Sequence, residues 1–148
     1  TERELKYLTE IDGYHHFALG LEEVNSPERG IGIMSMVRVD LSPKEAEVAL
    51  LLIDDYQRAG LGTLLMHFCL VAAAERGIES LRFTYLPDNS GIVKLIKRFG
   101  NPKADILASD YVQMKITIGK PQIDESLKAL KEFFAPASSD PRGPKTPL

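Results

Sequence analysis

A single cysteine in 148 residues excludes an internal disulfide, so nothing here is read as a cross-linked scaffold. An excess of basic residues is missing too. Eighteen Lys and Arg against 21 Asp and Glu leave a formal net charge of −3, which gives no electrostatic footprint for nucleic acid or an anionic membrane surface. No apolar run is long enough to span a bilayer or to act as a secretory signal, and no internal repeat is evident. These absences point to a reducing cytoplasm and to partners other than nucleic acid or membrane. The three histidines, His15, His16 and His67, lack metal-ligand company, and Cys69 lies two positions from His67, on another helical face, so no metal site is expected. What is present is a chain 44% hydrophobic and 26% charged, enough for one compact domain with a real core. It begins at Thr1, which reads as a fragment or the processed end of something longer.

Residues 17–23 and 31–39 read as an antiparallel hairpin around the turn-forming NSPERG of residues 25–30. After DLSPKE, residues 46–53 are continuously apolar but for Glu47, as expected of a central strand covered on both faces. From Gly60 to Arg76 apolar positions recur at helical spacing, and Gly77 stops the helix. Residues 81–86 read as the next strand, which implies a right-handed crossover between parallel strands. A short helix follows Asn89, with Lys94, Lys97 and Arg98 on its solvated side. Residues 111–118 alternate as a last strand, and Ile123, Leu127, Leu130 and Phe134 mark an amphipathic helix. The expected organisation is one domain over residues 1–120, that helix over 121–134 and a flexible tail over 135–148.

The stretch DDYQRAGLGT, residues 54–63, joins the buried strand to the long helix and carries two glycines two apart. Such glycines let backbone N–H groups turn toward a ligand, and a helix N-terminus adds about half a positive charge, so the junction suits phosphate. The same residues also fit a tight strand-to-helix turn with no ligand. Neither the Walker pattern nor the dinucleotide GxGxxG is present, since Gly62 is followed by Thr63, Leu64 and Leu65.

QRAGLG at residues 57–62 resembles the (Q/R)xxGx(G/A) pyrophosphate loop of the GNAT acetyltransferases, the family that moves acetyl groups from acetyl-coenzyme A to amines. PDNSGIVKLIKRFG, residues 87–100, is similar to that family's second signature. YLTEID at 7–12, HHFAL at 15–19 and EVALLLIDDYQRAGLGT at 47–63 resemble the GNAT domains of bacterial protein lysine acetyltransferases, and the likeness spans residues 5–118. The resemblance implies a mixed α/β fold: a twisted, mainly antiparallel sheet whose central parallel pair, residues 46–53 and 81–86, splays around the cofactor.

The resemblance also assigns roles. Backbone N–H groups from Arg58 through Ala59, Gly60, Leu61 and Gly62 to Thr63 would bind the pyrophosphate of acetyl-CoA in a loop opened by Gln57, with Ala59 standing where the family commonly has a basic residue or glycine. Leu52 and Ile53 would pair with pantetheine amides, as strands pair with an added peptide, and Asn89 would bond the pantetheine or simply cap its helix. Glu47 would be the general base for an amine acceptor, best a protein lysine, attacked directly in a ternary complex. On residues alone Glu47 also reads as the solvated entrance of its strand. The tyrosine that many relatives carry seven residues after the signature Asn is Ile96 here, leaving Tyr85, Tyr111 or water as proton donor. Two other functions stay open: a non-catalytic acyl-CoA sensor, and acetylation of a small amine. Asp54 and Asp55 are expected to point outward, toward a basic acceptor; His15 and His16 read as a surface loop or the acceptor entrance, and Cys69 as core.

Overall fold

The computed structural model describes residues 11–57, 60–106 and 110–135. The first strands are longer than their apolar cores suggest. β1 is His16–Glu23, β2 Ser26–Val39 and β3 Ser42–Leu52, so NSPERG is mostly strand and each hairpin turns on two residues, Val24–Asn25 and Asp40–Leu41. Helix α1 is Leu61–Glu75. It ends with Gly77 N–H donating to Ala74 O and Ile78 N–H to Ala73 O, the paired bonds that close a helix C-terminus through a left-handed residue. β4, Ser80–Tyr85, is followed by α2, Ser90–Lys97, then β5, Lys103–Ile106, β6, Val112–Thr117, and α3, Lys120–Phe133. β5 has no sequence forecast: KADI is four residues without a clear alternation.

The six strands form one sheet in the order β1-β2-β3-β4-β6-β5, antiparallel at every junction except β3–β4, which is parallel. This is the expected sheet, with the helical crossover α1 between its parallel strands. One face carries the core: Met34, Met36, Val48, Leu81, Phe83 and Ile116 lie beneath Leu65, Leu70 and Ile96 of α1 and α2. α3 packs on α1, where the Phe68 and Phe134 rings meet edge to face at 5.9 Å and the buried Ser126 hydroxyl meets His67 Nδ1 at 2.9 Å.

The opposite face corrects the expectation of a strand covered on both sides. Along β3, Ala46 and Val48 are buried, while Glu47, Ala49 and Leu51 are exposed, Leu51 at 65%. The three helices of the described residues all pack from the other side. The apolar run in this strand therefore conceals a polar-open alternation: Ala49 and Leu51 stand on the open face with Glu47.

Candidate functional site at the β3–β4 opening

The parallel register covers three pairs, Glu45 with Ser80, Ala46 with Leu81 and Glu47 with Arg82. Beyond Glu47 the strands part: β3 continues to Leu52 on β2 alone, and β4 to Tyr85 on β6 alone. A wedge opens between them toward the N-terminus of α1. Two strands that separate leave backbone groups unpaired along the inner edges, which suits an extended amide chain laid between them.

Backbone direction decides which residues face that wedge. Ile53 N–H donates to Ile31 O at 3.0 Å and Ile53 O accepts from Tyr56 N–H at 3.0 Å, so Ile53 is engaged away from β4. Alternation then turns Leu50 and Leu52 inward. The reading of Leu52 and Ile53 as a pair is corrected accordingly: Leu52 faces the wedge and Ile53 does not. Gln57 folds back on the strand end, its Nε2 donating to Leu52 O at 3.0 Å and to Asp54 Oδ1 at 3.2 Å. Asn89 caps α2, with Oδ1 accepting from Ile92 N–H at 3.2 Å.

At the head of α1, Gly60 has φ 81°, a left-handed conformation that favours glycine. The first bond of the helix runs from Leu64 N–H to Gly60 O at 3.1 Å. The N–H groups of Leu61, Gly62 and Thr63 precede it, and helix geometry leaves such groups without intrahelical acceptors. Gly62 has a different task from the one its spacing suggests. It is helical, and an added Cβ would lie 3.3 Å from Leu95 Cδ2 and 3.7 Å from Leu52 Cδ1, so it lets α1 approach α2 and β3 closely. Arg58 and Ala59 lie outside the described residues.

Beside Thr63 a cavity of about 560 Å³ opens between α1, the end of α2 and α3, lined by His67, Lys97, Arg98 and Ser126 among others. Arg98 Nη1 donates to Thr63 Oγ1 at 3.2 Å, which sets a guanidinium against the first turn of α1. Sequence reading took Lys97 and Arg98 as a solvated face; the signal missed is that the turn after Asn89 brings this helix end alongside residue 63. Burial holds the His67 imidazole below its ordinary value, with Glu125 pulling the other way. His67 is thus a packing residue with a polar partner on α3.

On the open face, Glu47 Oε1 accepts from Thr84 Oγ1 at 3.2 Å, and Gln113 Nε2 donates to Thr84 Oγ1 at 3.5 Å. Tyr85, buried with Leu81 and Phe83, points to the helix side, and burial pushes its hydroxyl above the usual range. Ile96 is fully buried. Cys69 is fully buried and its thiol is pushed up to about 12 by burial, so it is inert. His15 Nδ1 contacts Asp12 Oδ2 at 2.9 Å and His16 Nε2 contacts Ser35 Oγ at 2.9 Å. Asp55 contacts Arg29 at 3.6 Å in the exposed rim. Among the described residues no cluster of three or more His, Cys, Asp or Glu could hold a metal ion, and no helix is long and apolar enough to cross a membrane.

A mixed sheet with one central parallel pair, opening against a glycine-headed helix, is an acetyltransferase scaffold of one recognisable class. The chain belongs to the GNAT family: the acetyltransferase (GNAT) domain profile matches residues 2–101. It is similar to the acetyltransferase Pat of Mycolicibacterium smegmatis, 33% identical over 100 residues, which are 68% of this chain and 30% of that protein. Among solved structures it resembles a mutant form of the cAMP-binding acyltransferase from Mycobacterium smegmatis, with TM-score 0.69, 28% identity and coverage of 85% of this chain and 37% of that one. The GNAT domain of S. lividans PAT shares the fold, with TM-score 0.68, 22% identity and coverage of 80% and 69%. The chain thus spans about a third of the length of the M. smegmatis relatives.

Proposed function

We propose that this domain is an N-acetyltransferase that moves an acetyl group from acetyl-CoA to an amine, and that the amine is a lysine side chain of a protein. The observation that carries the reading is the parting of β3 and β4 beyond Glu47, aimed at the Gly60-headed N-terminus of α1. Leu61, Gly62 and Thr63 offer N–H groups to the pyrophosphate, with Arg58 and Ala59 completing the loop in sequence. Arg98 and Lys97 stand beside Thr63 as cations for the phosphates. Leu50 and Leu52 offer the strand edge to the pantetheine amides, and the amide nitrogen of Asn89 is the end of that side chain left by its capping role.

Acetyl-CoA supplies an activated thioester when bound. A lysine amine, with an unperturbed pKa of about 10.4, must lose a proton before it can attack, and Glu47 stands exposed on the open face where an incoming side chain can reach it. The amine's proton passes to Glu47, the C–N bond forms as the C–S bond breaks, and the departing thiolate takes a proton from water, since Ile96 and Tyr85 lie in the core. The lysine assignment is favoured by the likeness to Pat and by a face open enough for a macromolecule. A reducing cytoplasm suits the single buried cysteine.

Incubation with labelled acetyl-CoA and cell extract, followed by separation of protein from small molecules, tests the reading. Label on protein lysines is expected. Label on a polyamine or other small amine would replace the acceptor, and saturable acetyl-CoA binding with no label transferred would make the domain a sensor.

A further inference from the structure

On the open face, β3 presents two carboxylates two residues apart, Glu45 and Glu47. By register Glu47 lies opposite Arg82 and Glu45 opposite Ser80. Residues directly opposed in a sheet have Cβ atoms about 4.5–5.5 Å apart, so the guanidinium nearest by position to Glu47 is Arg82. The bonds run otherwise. Arg82 Nε donates to Glu45 Oε1 at 2.7 Å and its Nη2 bonds the same oxygen. Lys115, opposite Arg82 on β6, takes the second oxygen, Glu45 Oε2. Glu47 is left with the neutral hydroxyl of Thr84.

We propose that Glu45 is a positioning residue: by gathering Arg82 and Lys115 it holds both cations off Glu47 and keeps that carboxylate available to accept a proton. This rests on the reading of Glu47 as base. The diagonal pairing is favoured because Glu45 is 8% exposed and Glu47 lies open to solvent. A desolvated carboxylate needs charged partners, and ion pairs strengthen as water is excluded. Both cations beside it hold the Glu45 carboxyl below its ordinary value against the effect of burial, with the Lys115 bond the largest cause. The charged and titratable groups in Glu47's cross-strand row are His16 on β1, Arg82 on β4, Lys115 on β6 and Lys103 on β5. Arg38 of β2 leaves by the other face, toward Arg76 O. Arg82 is therefore the nearest cation that release from Glu45 would deliver to Glu47.

The test follows the Glu47 carboxyl carbon by NMR in 13C-glutamate-labelled protein, assigned by its loss in Glu47→Gln, across a pH titration. In Glu45→Gln the freed Arg82 pairs with Glu47, and the titration midpoint falls by about one pH unit or more. In Glu45→Gln/Arg82→Gln it returns to within about half a unit of the wild-type value, because Lys115 stands one strand further away. Arg82→Gln alone leaves the midpoint within about half a unit, since Arg82 is already committed to Glu45; this variant serves if Glu45→Gln does not fold. An unmoved midpoint in Glu45→Gln, an unrestored one in the double variant, or a large rise in Arg82→Gln overturns the proposal. The base assignment is judged apart from it: wild-type turnover by Glu47→Gln would overturn that reading even with every midpoint as expected.

Discussion

The two ends of the β3–β4 pair are built from neighbouring residues and behave oppositely. At the closed end, Glu79 N–H donates to Lys44 O at 2.7 Å, Ile118 N–H to Glu79 O at 2.8 Å, and Glu45, Arg82 and Lys115 tie three strands together. At the open end, three residues further along, β3 and β4 share no ladder bond and the side chains of Glu47 and Leu51 stand in solvent. The contrast shows how one sheet can be rigid and receptive at once: the zipped end fixes the angle at which the free edges diverge.

Breaking the closed end should cost the most. Leu81, fully buried in the paired segment, is expected on truncation to alanine to lose about 2–5 kcal/mol of stability, whereas Leu51→Ala on the open face should change it by about 0.5 kcal/mol or less. Denaturant unfolding of the two variants measures the difference. Next in size is the chemistry at the start of the opening. Glu47→Gln keeps the shape and the bond to Thr84 but removes basicity, so turnover at neutral pH should fall about a hundredfold or more, recovering in part at high pH, with acetyl-CoA affinity held.

The smallest effect sharpens the contrast from outside the pair. His67 is held below its ordinary value by burial, so the folded state takes up its proton less readily than the unfolded chain. Stability is therefore full above the unfolded value of about 6.5 and declines as pH falls below it. The expected drop in melting temperature between pH 7.5 and 5.5 from this group is no more than about 4 °C, and His67→Gln, which can still bond Ser126, should flatten that part of the profile.

The sheet was largely legible in the sequence because apolar runs and turn residues mark strands, and the strand-helix-strand order at residues 46–86 implies the parallel pair. The glycine-rich junction was legible for the same reason. What escaped depends on register and facing. β5 is too short for a pattern, and the run from Val48 to Ile53 conceals an open face because apolar Ala49 and Leu51 stand there. The roles of Gly60 and Gly62 differ only once the helix start is fixed. Ile53 was separable from Leu52 only by knowing which edge β2 takes. The Glu45–Arg82–Lys115 cluster joins residues 37 and 70 positions apart, which no local pattern reveals.

The central claim is that the opening between β3 and β4, with the head of α1, binds acetyl-CoA. Calorimetric titration of the wild-type chain and of Gly60→Asp with acetyl-CoA tests it most directly. Asp at 60 forces a side chain into a left-handed conformation, at a cost of about 1–2 kcal/mol, and sets a negative charge where the pyrophosphate would approach. The account predicts saturable binding by the wild-type chain at one site, weakened about tenfold or more in Gly60→Asp with the fold retained by circular dichroism. No binding to the wild-type chain, or equal affinity in the two proteins, would contradict it.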